Sequence, residues 1–294
     1  MVEVPEIVAL LEPELGPANA EPQPLSGGIT NRNFRLRFGD RECVLRLTAA
    51  ATELLGIDRD SERLAGDAAA ALGIAPAVLA SGPGFLVTEY LDCEPVSSTA
   101  LRSHPQAAAR ALRTFHDSGL RLPNRFWVPD LLEGYADVVR ERGGKLPAEY
   151  ARAQGLVERI DRALPAYESV PCHDDLLAAN LLAPHGRAGQ IMLVDWEYAG
   201  MGHRMFDLGN LAVNNEFDEA AEDRLLEAYF AEPPGPERRA TLALMRILSD
   251  AREAAWGVVQ GVVSEIEFDF GDYSRRHFAR LEQAAADPRL EGRI

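Results

Sequence analysis

The chain has 294 residues, of which 47% are hydrophobic and 26% charged, with a formal net charge of -16. That length holds one large domain or two lobes with ample core, and that composition excludes a disordered chain. The acidity excludes a nucleic-acid surface, which needs a basic face against phosphates, and tilts weakly toward a cationic small substrate.

The three cysteines, Cys43, Cys93 and Cys172, are odd in number and lack paired spacing, so neither a disulfide framework nor a zinc site is indicated. The N-terminal residues lack a basic region ahead of an apolar core, and no apolar run reaches the length of a membrane span. A cytoplasmic protein without membrane insertion is expected.

After an opening helix, Leu25-Ser26-Gly27-Gly28-Ile29-Thr30-Asn31 forms a loop whose glycines and small polar residues let backbone approach phosphates. Alternating side chains over residues 32–38 and 42–47, joined by Gly39-Asp40, predict an antiparallel hairpin. An amphipathic helix is predicted from Asp58 to Leu72, capped by Asp58 or Asp60, carrying Glu62 and stopped at Gly73. Strands near 77–80 and 85–90 follow, the second ending in Thr88-Glu89-Tyr90-Leu91. Helical patterns then cover Thr99 to His116, Leu131 to Arg142 and Glu149 to Ala163. The fold class read from this order is α+β, with a small antiparallel β-rich lobe over residues 1–92 and a larger, mainly helical lobe over 93–294.

His173-Asp174-Asp175-Leu176-Leu177-Ala178-Ala179-Asn180 carries His-x-Asp followed by four residues and Asn, the spacing of a kinase catalytic loop. The pattern arises by chance in roughly one chain in a hundred of this composition. A loop whose Asp and Asn cap a helix is the plainer alternative. Residues 190–195 then read as a short buried strand ending in Asp195, a hard oxygen ligand for Mg²⁺ at a strand end. Helices are predicted at 205–215, 219–230, 236–263 and 272–286.

With these residues in order, the chain resembles the choline/ethanolamine kinase branch of the aminoglycoside phosphotransferase family, over most of residues 20–285. The resemblance rests on Leu25–Asn31, Val44-Leu45-Arg46, Arg59 with Glu62, His173-x-Asp175 with Asn180, Asp195-Trp196-Glu197-Tyr198, and Phe206-Asp207-Leu208-Gly209-Asn210. It implies a bilobal protein-kinase-like fold that transfers phosphate from ATP with Mg²⁺. By this resemblance Asp175 is the base, His173 braces its loop and Asp207 holds the loop backbone. Asn180, Asp195 and Glu197 are the metal ligands. Ser26, Gly27, Gly28, Thr30, Asn31, Arg46, its ion-pair partner Glu62, and Glu89 bind the nucleotide.

On the acceptor side, Trp256-Gly257-Val258-Val259 and Tyr273 are similar to the family's cation-binding segment, with Tyr198, Asn214 and Glu216 as further candidates. Val259 replaces a second Trp and removes one wall of the expected cage. The implied activity is phosphorylation of an amino-alcohol hydroxyl, choline or ethanolamine first. An aminoglycoside or another aminated or sugar-like acceptor is the second reading, with the acidic run Glu216, Asp218, Glu219, Glu222 and Asp223 as its candidate binding surface. A non-catalytic nucleotide-binding module is the remote third.

Overall fold

The predicted hairpin is formed by β2 (Arg32–Phe38) and β3 (Arg41–Leu47), paired antiparallel from Phe38↔Arg41 to Arg32↔Leu47. This is seen in a computed structural model that describes residues 4–19, 21–25, 31–48, 52–287 and 290. Gly39, at φ +56°, makes the two-residue turn in a conformation that a side chain would strain. Three more strands, β1 (Gln23–Leu25), β4 (Val78–Gly82) and β5 (Phe85–Glu89), complete an antiparallel sheet in the order β1-β2-β3-β5-β4.

The alternation of each strand decides what faces where. Phe34, Leu36, Phe38, Cys43, Leu45 and Val87 pack under Ile7 and Leu11 of α1 (Val4–Leu15), forming a small core. Fully burying each such side chain contributes about 1.5–3 kcal/mol. Val44, Arg46, Leu86 and Thr88, one residue out of phase, face the opposite side and line a cleft.

α2 (Arg59–Ala71) starts where expected, with the Asp58 side chain accepting from the Ser61 backbone N–H at 3.1 Å, and ends before Gly73 at φ +73°. Ala65 and Ala69 join the larger core, which turns Glu62 toward the sheet.

The helical C-terminal part departs from expectation at its first element. The single helix predicted from Thr99 to His116 is two, α3 (Ser98–Ser103) and α4 (Gln106–His116), because Pro105 drives the preceding residue His104 out of helical geometry, to φ -138° and ψ 68°. Next, α5 (Val128–Glu141) begins three residues before the predicted Leu131, since Pro129 fits a first helical turn. α6 (Ala148–Ala163), α7 (Arg204–Asn214), α8 (Glu219–Phe230), α9 (Pro236–Val263) and α10 (Phe270–Ala284) lie within two residues of their predicted bounds.

Five short strands thread this part: β6 (Cys93–Pro95), β7 (Ser169–Cys172), β8 (Leu181–Pro184), β9 (Met192–Leu193) and β10 (Gly200–His203). The predicted strand over 190–195 is reduced to the two residues of β9, paired with β8, because the chain leaves the ladder for a left-handed turn at Asp195 (φ 67°). α7 and α9 pack closely enough that a β-carbon on Gly209 would stand 2.6 Å from Met245 Cβ. Among the described residues, no helix is long and apolar enough to cross a membrane.

Candidate active site

The loop 173–180 leaves β7 and is held from behind by α7. Asp207 is fully buried, and its two oxygens accept the backbone N–H groups of His173 (2.9 Å) and Asp174 (2.8 Å). His116, at the end of α4, bonds the same carboxylate at 2.9 Å, with Tyr229 on its other ring nitrogen at 2.6 Å. One turn further along α7, Asn210 accepts the Leu176 N–H at 2.5 Å. Burial alone would raise the Asp207 pKa, but the bond from His116 and the neighbouring imidazoles hold it below the ordinary carboxylate value.

His173 is fixed in one tautomer. Its Nε2–H donates to the Val194 carbonyl (3.0 Å), so Nδ1 is free to accept the Asp175 N–H at 3.3 Å. Burial lowers its pKa, which keeps the ring neutral. Asp174, the x of the motif, carries the strain of the turn at φ 67°. Its carboxyl is buried without a hydrogen-bond partner and is pushed well above the usual carboxylate range by that burial. His173 and Asp207 therefore do not reach the cleft. Both are bonded to the loop backbone instead.

Asp175 does reach the cleft. The Asn180 amide donates to its carbonyl (2.9 Å) and its carboxylate (3.3 Å), which leaves Asn180 Oδ1 as the atom that would meet a cation. Burial pushes Asp175 up to about 7, with Arg252 pulling the other way and Glu253, Asp195 and Glu197 adding to the rise.

On the side of the sheet, an alternating network of charges closes the cleft. Arg46 pairs with Glu62 and, at 2.5 Å, with Asp195. Arg59 bridges Glu62 (2.6 Å) and Glu197 (3.5 Å), and the Asn31 amide donates to Glu197 at 3.2 Å. Burial, then the charge of Asp195, raise the Glu197 pKa. Glu89 stands exposed at the rim, at the end of β5. Ser26, Gly27, Gly28 and Thr30 lie outside the described residues. Asn180, Asp195 and Glu197 present only hard oxygen donors, a set that fits Mg²⁺ and not a soft metal.

The residues expected on the acceptor side include Trp256 of α9 and Tyr273 of α10. Trp256 donates its indole N–H to the Tyr198 hydroxyl at 2.9 Å, and Tyr273 donates its hydroxyl to Glu253 at 2.6 Å. All four side chains line the cleft, as does Arg252. Arg252 and Glu253 escaped sequence reasoning. They precede Trp256 by four and three residues and so share its helix face, within a buried stretch of α9 that also carries Ser249 and Asp250. Arg252 Nη1 reaches Asp175 at 3.4 Å and Glu253 at 2.6 Å, while its Nε and Nη2 are buried without partners. Burial works against the Glu253 carboxylate, yet Arg252, His277 and the Tyr273 hydroxyl together hold its pKa below the ordinary value.

Two expected acceptor residues are displaced. Asn214 and Glu216 do not line the cleft, because seven residues of helix carry Asn214 about 10 Å beyond Asp207. Glu216 sits past the helix end, 80% exposed and paired with Arg102 at 3.5 Å. Val259 is fully buried in the core and faces no ligand. In the acidic run of the second reading, Asp218 caps α8, Glu222 pairs with Arg246, Asp223 pairs with Arg239, and Glu219 stands exposed in the first turn of α8.

The resulting cleft encloses about 630 Å³ between the apolar face of the sheet, with Val44, Val78 and Leu86, and the helical part, with Leu182 and Val194. Asp175 stands between this apolar half and the aromatic chamber.

Similarity to known proteins agrees with this geometry. The chain is 25% identical to human choline/ethanolamine kinase, over 87% of its own length and 78% of that protein's. The structure of a choline/ethanolamine kinase family protein from Mesorhizobium loti superposes with a TM-score of 0.82 at 28% identity, covering 98% of this chain and 97% of that one. A LicA structure in complex with AMP gives 0.78 at 25% identity, over 95% and 96%. The model of the phosphotransferase enzyme family (APH) matches residues 21–242. Asp175, Arg46 and Asp207 all lie within the matched residues, and the chain belongs to the phosphotransferase enzyme family.

Proposed function

We propose that the protein is an ATP-dependent kinase that phosphorylates the hydroxyl of an amino alcohol of the choline and ethanolamine class. The observation that carries this reading is the position of Asp175, between an apolar slot under the sheet and a chamber of Tyr198, Trp256, Tyr273 and Glu253. The relatives are named for that chemistry, and one of them is seen with AMP. In this reading residues 1–92 form the nucleotide lobe and 93–294 the catalytic and acceptor lobe.

Asp175 orients the acceptor hydroxyl and takes its proton as the oxygen attacks the γ-phosphorus. The new O–P bond forms as the bond to the β,γ-bridging oxygen breaks, and ADP leaves. Held at about 7, the Asp175 carboxyl is matched to accept a proton near neutrality. Mg²⁺, held by Asn180, Asp195 and Glu197, would neutralise charge on the donor phosphates. Arg46 offers a planar guanidinium fork to phosphate oxygens. Asp207 and His116 fix the loop so that Asp175 need not be reoriented during turnover.

Coupled ADP release across choline, ethanolamine, sugars, thiamine and aminoglycosides tests the reading. Turnover concentrated on small amino alcohols is expected. Faster turnover of an aminoglycoside would replace the acceptor assignment, and no release with any acceptor would remove the kinase assignment itself.

A further inference from the structure

The acceptor chamber already contains a cation. The Arg252 guanidinium, 2% exposed, lies over the Tyr198 ring with its carbon 4.1 Å from the centroid. A quaternary ammonium has no N–H to donate, so it is held by aromatic faces and by unscreened negative charge. Both are scarce here. Tyr198 has given a face to Arg252 and is itself only 4% exposed. Trp256 is ringed by Phe270 and Tyr273 in edge-on packing, and Val259 contributes nothing to the chamber. The charge of Glu253 is largely answered by Arg252.

What the chamber does retain is hydrogen-bonding capacity. Glu253 accepts from Arg252 on Oε1 and from the Tyr273 hydroxyl on Oε2. A carboxylate oxygen accepts two hydrogen bonds, so each has room for one more donor. A protonated primary or secondary amine can supply that donor and approach to charge-assisted hydrogen-bond distance. Methyl groups on the nitrogen remove the donor and hold the positive charge away from Glu253, while Arg252 continues to repel it.

We propose that this chain selects acceptors whose nitrogen still carries N–H groups, reading them through Glu253 beside the built-in Arg252 cation, and so prefers primary and secondary ammonium alcohols to quaternary ones. This rests on the amino-alcohol kinase reading above and specifies its substrate.

The test is the kcat/KM of the unaltered protein for ethanolamine, N-methylethanolamine, N,N-dimethylethanolamine and choline, by ADP release with saturating ATP and Mg²⁺. A stepwise decline is expected, at least about tenfold from first to last. Glu253→Gln keeps the shape, and should lower the kcat/KM for ethanolamine at least about tenfold more than that for choline, read as the ratio of the two. Choline equal to or better than ethanolamine in the unaltered protein would overturn the inference and leave the kinase reading standing. A Glu253→Gln variant that lowers all four acceptors in equal proportion would also overturn it. Silence with all four acceptors would sink the amino-alcohol reading and this inference together. The series on the unaltered protein decides the matter even if the variant does not fold.

Discussion

The two walls of the cleft solve the problem of burying charge in different ways. On the sheet side, Arg46, Arg59, Glu62, Asp195 and Glu197 come from several separate segments and form an alternating chain, with Asp195 and Arg59 still 26% and 35% exposed at its edge. On the acceptor side, Arg252 and Glu253 are neighbours on one helix, almost wholly buried, with aromatic rings in place of further charges. The first wall can exchange partners when phosphates arrive, because its pairs are many and partly wet. The second is a fixed mould, in which each charge has one principal answer.

Substitutions can break this contrast in order of effect. Asp175→Asn, which serves both walls, should lower kcat by about 10³-fold or more with little change in either KM or in Tm, read by steady-state kinetics and thermal melting. Asp195→Ala acts on the sheet wall alone. It should cost on the order of 10² in kcat/KM for ATP, and an equal loss of acceptor affinity would show that the walls are not separate.

The pH response is smaller. With Asp175 held at about 7, activity of the free enzyme should fall about tenfold per unit as pH drops below that value. Stability has the opposite sign. An unfolded Asp releases its proton near pH 4, so the folded state holds an extra proton between about 4 and 7 and loses stability as pH rises through that window. Urea unfolding across that range measures it. Smallest of all is Gly209→Ala, which forces α7 away from Met245 of α9 and should cost about 1–3 kcal/mol of stability. Because α7 carries Asp207 and Asn210, kcat should drop with it while both KM values hold.

The same contrast explains what could be read from the residues alone. The sheet wall is written in local patterns: the alternation around Leu45 turns Arg46 to the cleft, and the cap at Asp58 sets the phase of Glu62. Asp207 and Asn210 stand three apart, which puts both on the helix face that meets the loop. The acceptor wall is written in tertiary contacts. A pair such as Arg252-Glu253 within a helix looks like a solvated surface pair until Asp175, Tyr198 and α10 are known to cover it. Asn214 shows the converse error, since it shares the face of Asp207 but lies too far along the axis. Pro105 marks a helix break in the sequence itself, against a periodicity that runs on through both sides.

α9 lies against Gly209 of α7 with one stretch and delivers Arg252, Glu253 and Trp256 to the cleft with the next. A change of acceptor made by repacking α9 is therefore transmitted to the helix that grips the catalytic loop. The freer ground for evolving new specificity is Phe268, two residues before α10 and 38% exposed, whose ring lies 5.9 Å from that of the cleft-lining Tyr273. Substitutions there can reshape the mouth of the chamber while the loop that moves phosphate stays as it is.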